Sequence, residues 1–107
     1  MKYRVRLLAR ANRDLERIFA WLAQRSPAGA AAWYEAAIEA LTALRDGADQ
    51  HGLAIESRGL RKAVREACFK TKRGKRYRLL YHLDGDEVRV LRIRGPGQPP
   101  VRKRDLK

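Results

Sequence analysis

Arg78 and His82 lie four residues apart in the alternating run Arg76-Tyr77-Arg78-Leu79-Leu80-Tyr81-His82-Leu83. Just before them, Lys70, Lys72, Arg73, Lys75 and Arg76 form a segment with no acid, so residues 70–78 hold six cations in nine positions. Cleavage of RNA by its own 2′-hydroxyl needs a proton acceptor, a proton donor and cations to hold charge on the pentacovalent phosphorus. The planar fork of arginine matches phosphate oxygens. Histidine is the residue type on this strand suited to proton transfer at neutral pH, and a lysine crowded by other cations is a second candidate base. The catalytic candidates are therefore Arg78, Lys70, Lys72 and His82. Without proton transfer the same residues make a cationic face whose mutual repulsion calls for an external anion. Both readings stay open at this level.

The remaining candidates carry less. His51 sits in a glycine-flanked loop and is expected at the surface. Two histidines and one cysteine, widely separated, offer no zinc pattern, so neither metal nor cofactor is expected. Gly95-Pro96-Gly97 lacks the helix and lysine of a phosphate-binding loop. Cys68, flanked by Ala67 and Phe69, reads as a small core residue. A lone cysteine excludes an internal disulfide and fits a reducing compartment. Trp21 and Trp33 read as packing or interface residues.

Charge narrows the partner. The chain of 107 residues carries a net charge of +13, and residues 57–107 hold seventeen Lys and Arg against five acids. Scatter would suffice for solubility; this polarity points to a dedicated anionic partner, nucleic acid ahead of membrane or acidic protein. No apolar run is long enough to span a bilayer and no signal peptide is visible, which leads to the expectation of a cytoplasmic protein.

Periodicity supplies the elements that must position these residues. Tyr3, Val5 and Leu7 alternate with cations as in a half-buried strand. Leu15, Ile18, Phe19 and Leu22 form the stripe of an amphipathic helix, with Asn12 as its expected cap and Asp14 and Glu16 near its positive end. Ser26-Pro27 restarts a helix that carries Trp33, Tyr34, Ala37, Ile38, Leu41 and Leu44 inward and ends near Gly47. Residues 47–60 read as a loop. Strands follow at 64–70, 76–83 and 87–94, the last two joined by a tight turn at Asp84-Gly85-Asp86. A breaker-rich tail then leads to the basic cluster Arg102-Lys103-Arg104. The order describes one α+β domain over residues 1–107: an N-terminal strand, a helical hairpin, then a three-stranded antiparallel meander. The hairpin is expected to cover one sheet face, with Tyr77, Leu79, Tyr81 and Leu83 beneath it, and to leave Arg78 and His82 on an open face.

This combination resembles the RelE/ParE superfamily of type II toxin–antitoxin toxins. The likeness rests on the Tyr3-Arg4-Val5 strand, Ala11-x-x-Asp14-Leu15-x-x-Ile18, the alanine-rich second helix, Arg76-Tyr77-Arg78-Leu79-Leu80-Tyr81, and Val88-x-Val90-Leu91-x-Ile93. It implies a growth-inhibiting toxin held in check by an acidic or amphipathic antitoxin. RelE-like members cleave mRNA on the ribosome without metal, whereas ParE-like members poison DNA gyrase. For the nuclease branch the resemblance carries phosphate-stabilising roles onto Arg78, Lys70 and Lys72, and more loosely onto Arg94. Arg73, Lys75, Arg76 and Arg94 are then the expected target contacts. That branch commonly has a tyrosine or histidine in its C-terminal segment, and none follows Arg94 here, so either His82 substitutes or the chain cleaves nothing. The long alanine-rich hairpin is closer to the ParE branch. The alternative is a non-toxic, degenerate relative that binds nucleic acid or an operator.

Overall fold

The structure, a computed structural model, describes residues 2–106. Strand β1 (Arg4–Leu7) leads into helices α1 (Ala9–Ala23) and α2 (Pro27–Gly47), followed by β2 (Arg65–Phe69), β3 (Tyr77–Asp84) and β4 (Glu87–Arg94). The α+β class and the element order are those expected. The sheet runs β1-β4-β3-β2, with β1 parallel to β4 and the other pairs antiparallel. The last strand is thus central, between the first strand and the meander. Among the described residues no helix is long and apolar enough to cross a membrane.

Local chemistry sets the helix starts. Ser26 caps α2 by accepting the Gly29 N–H at 3.0 Å, and Pro27 follows at the first helical position, where a missing N–H costs nothing. Helix α1 begins at Ala9, ahead of the expected cap Asn12, with Leu8 at the cap position and no side-chain cap. The Leu8 amide still donates to Val90 O at 3.0 Å, so the chain passes straight from sheet to helix. Asn12 instead bonds Glu16 within the helix at 3.2 Å. The buried stripe of α2 is Ala30, Trp33, Ala37, Leu41 and Leu44. Tyr34 and Ile38, expected inside, lie at the surface because they fall one helical step beyond the single sheet face that α2 contacts. Phe19, expected in the inward stripe of α1, is exposed as well, edge-on to Tyr34 with ring centroids 5.7 Å apart.

Alternation along β3 places Tyr77, Leu79, Tyr81 and Leu83 in the core beneath the helices, as expected. The neighbouring β4 changes parity part-way. Tyr81 faces Val90 while Leu80 faces Arg92, so Leu91 is an extra residue, a β-bulge. The bulge keeps Val88, Val90 and Ile93 on the helical side while sending Leu91 to the other. The expected open face does not exist in that form. Leu80 and Leu91 form a second small core with Ala54, Val64, Val101 and Leu106, with Leu8 and Leu60 packed against it. Two bulky apolar side chains on that face need cover, and the 48–64 segment and the tail supply it. The 47–60 segment is accordingly more ordered than a plain loop: it contains 3-10 turns at Ala48–Gln50 and Ile55–Ser57, and Leu53 bridges Arg65. The β3–β4 turn is the expected tight one, with Gly85 at φ +61°, a dihedral that an L side chain adopts only at a cost.

Asp14 does work that neither cap nor dipole describes. It is 1% exposed, and its Oδ2 accepts the Ile93 N–H at 2.9 Å. Arg92 donates to both its oxygens, at 2.7 and 3.0 Å, and Arg17 to Oδ1 at 3.0 Å. Strand β1 pairs with β4 only as far as Val90, so Asp14 satisfies a β4 amide beyond the end of its partner strand.

Candidate functional site

The structure separates the sequence-predicted residues into two environments. Arg78 lies on the second face and is largely buried, held by two carboxylates. Its Nη1 and Nη2 donate to Glu56 at 3.0 and 2.8 Å, and Nη1 also reaches Glu66 at 2.8 Å. The Glu56 side chain is fully buried and accepts the Val101 N–H at 3.1 Å as well. Burial alone would raise the Glu56 carboxyl, but the bonds from Arg78 and Val101 outweigh it and hold the group below the ordinary carboxylate range. The same pairing, led by Glu56, raises Arg78 further above its already high value. The external anion that this cation was expected to need is replaced by acids from within the chain.

His82 stands on the same side, half-buried, and its Nδ1 is 3.2 Å from Ala63 O, so the hydrogen on that nitrogen is donated to a carbonyl. It turns toward Ala63 while Arg78 turns toward Glu56 and Glu66, and the two do not converge. Arg94, opposite Arg78 in the β3–β4 register, donates to Pro99 O at 2.7 Å. Burial, with the nearby Arg92 and Arg78 charges, lowers its affinity for a proton. Cys68 is exposed, which corrects its reading as a core residue. Its neighbours Ala67 and Phe69 take the helical side of β2, leaving Cys68 on the outer face of an edge strand. Partial desolvation of the sulfur, then the Glu66 charge, pushes its thiol up, away from a reactive thiolate. His51 is half-buried rather than open, edge-on to Tyr81 at 6.3 Å.

Lys70, Lys72, Arg73, Lys75 and Arg76 behave differently. All are exposed, and none has an acidic partner among the described residues. Their turn is tight enough that a Cβ at Gly74 would collide with Thr71 Oγ1. It faces the α1–α2 junction across a groove of about 540 Å³ floored by Trp33 and Tyr77 and rimmed by Trp21, Arg25, Arg73 and Lys75. A smaller trough of about 310 Å³ continues past Trp21 and Tyr77 along Arg17, Ile18 and the Gly95–Gln98 turn. Among the described residues no acid lines either part.

Trp21 is 51% exposed, and the Arg25 guanidinium lies 3.8 Å from its ring centroid. Trp33 is almost wholly buried against Phe69 and Tyr77, at 5.9 and 5.4 Å, and its Nε1–H has no acceptor. Burial pushes the Tyr77 phenol up, so it stays protonated at neutral pH. The groove is therefore a cation-rimmed aromatic recess equipped to bind rather than to transfer protons. Sequence reading found its cationic wall and missed its aromatic one. The signal was present, since Trp21 falls outside the Leu15, Ile18, Leu22 stripe, but nothing local places it opposite residues fifty positions away.

The family model for the ParE toxin of the type II toxin–antitoxin system parDE matches residues 5–98. A solved structure described as the chromosomal ParDE TA system from P. aeruginosa superimposes with a TM-score of 0.67 at 20% identity, covering 87% of this chain and 95% of that one. No curated protein matches the chain in sequence.

Proposed function

Because the chain belongs to the ParE toxin family of type II toxin–antitoxin systems, we propose that it arrests growth by binding a target, DNA gyrase, rather than by cutting ribosome-bound mRNA. The observation that carries this reading is the neutralisation of Arg78 by Glu56 and Glu66. A phosphate-stabilising arginine must be free to meet charge as it develops in the transition state. Here the fork is already spent, and His82, the candidate proton carrier, faces a backbone carbonyl. The exposed turn and the aromatic groove beside it are the target contact, with Arg73 and Lys75 on its rim and Lys70, Lys72 and Arg76 beside it. An acidic antitoxin that covers these cations would neutralise the toxin.

The test is to assay the purified protein in parallel for inhibition of gyrase supercoiling and for mRNA cleavage on ribosomes. Inhibited supercoiling with intact mRNA is the expected result. Cleaved mRNA with normal supercoiling would overturn the proposal. So would normal growth of cells that accumulate the soluble protein without an antitoxin.

A further inference from the structure

We propose that a second cationic surface, made where residues 58–62 meet the C-terminal segment, binds the phosphate backbone of duplex DNA. This surface is separate from the groove at the helical hairpin and does not depend on the gyrase reading. Residues 58–62 turn through Gly59 at φ +75°, and Lys103 lies over that turn, its Nζ 3.6 Å from where a Cβ on Gly59 would stand. The contact joins two segments more than forty positions apart and brings Arg61, Lys62, Lys103 and Arg104 around one trough of about 550 Å³. All four are exposed, and none has an acidic partner among the described residues. The nearby acid, Asp105, is shared by Arg10 at 3.4 Å and Arg102 at 3.9 Å.

The chemistry of the floor separates DNA from an acidic protein as the occupant. Peptide docking draws its energy from apolar anchors seated in pockets. Here the floor residue Leu106 belongs to the second core and is 2% exposed, and Leu60 is packed partly buried against it. What the surface offers is a concentration of charge around its rim, two of the four cations being arginines, whose forks match phosphate oxygens. Phosphate contacts of that kind depend on counter-ion release and are legible in salt dependence.

Binding of a short labelled DNA duplex, followed by fluorescence anisotropy over a sodium chloride series, tests the assignment. Removing one phosphate contact flattens the slope of log K against log[salt] by about 0.9, so R61A/K62A/K103A flattens it by about 2.7. K72A/R73A/K75A, at the hairpin groove, leaves it much closer to the parent slope. An unchanged slope for the first variant overturns the proposal, as does an equal loss in the second. Polyglutamate that displaces the duplex at equal charge concentration would also overturn it, assigning the surface to an acidic protein. If the triple variant proves unfolded by circular dichroism, K62A alone provides the same reading, a flattening of about 0.9 or none.

Discussion

Replacing Arg78 by alanine is the informative perturbation, because its effect on growth arrest would mislead without a stability measurement. In the folded protein Glu56 has no solvent exposure at its side chain and takes two bonds from Arg78. Arg78→Ala leaves that carboxylate buried with only the Val101 amide as a partner. Breaking a buried pair from one side costs about 3–5 kcal/mol, against a total stability of about 5–15 kcal/mol for a domain of this kind. With a urea m-value of about 2 kcal/mol/M, the unfolding midpoint falls by about 2 M, read from tryptophan fluorescence at neutral pH. The charge is the cause, so Glu56→Gln in the same background recovers part of the loss, keeping an acceptor for Val101 without a buried ion. The pH dependence carries a second signature. In the parent, the lowered Glu56 carboxyl contributes stability that is complete above the unfolded value near pH 4.3 and is lost as pH falls through the folded value. Arg78→Ala instead gains relative to the parent on acidification, since protonation relieves its unpaired charge. A variant within about 0.5 kcal/mol of the parent, with the same acid profile, would refute the reasoning, since surface substitutions away from such features fall in that range.

Asp14→Ala removes the acceptor for Ile93 N–H and the partner of Arg92, and is expected to cost about 3–5 kcal/mol in denaturant unfolding, with faster hydrogen exchange at the Ile93 amide. Trp21→Ala costs about 1–2 kcal/mol in denaturant unfolding, because half of the ring is buried, yet leaves a folded protein with weakened growth arrest; undiminished arrest would remove the groove from the target contact. Ser26→Ala lowers stability by about 1 kcal/mol through loss of the α2 cap, measurable by thermal unfolding.

The strands and helices were legible because each writes its period locally: β4 falls at Glu87–Arg94, where alternation put it, and Ser26-Pro27 starts α2. The partners of charged groups were not, since Glu56 meets Arg78 across 22 positions and Asp14 meets Arg92 across 78, with no trace of either pairing in a short window. That blindness had a particular effect on the candidate site. Arg78, read from its strand, looked like a free cation, and the acid that satisfies it sat in a segment read as a loop. The bulge at Leu91 had the same origin, because parity within β4 alone does not reveal which side its neighbour demands. The turn at 70–76 is legible as a cationic segment because its charges are uncompensated in sequence, and among the described residues they have no acidic partner in space.

The parallel pairing of β1 with β4 has a consequence for how the toxin comes into being. Arg4 pairs with Glu87 and Leu7 with Val90, so the first strand waits more than eighty residues for its neighbour. At synthesis speeds of about 5–20 residues per second that delay is about 4–16 s, and non-local strand pairing is slow in its own right. Until β4 exists the sheet has no centre, since both β1 and β3 are joined through it. Helices α1 and α2 can pair early, but the second core and the Asp14 anchor both wait for residues 91–93. A nascent or truncated chain ending before them therefore lacks the centre of the sheet, the second core and the Asp14 anchor, and is expected not to reach the native fold.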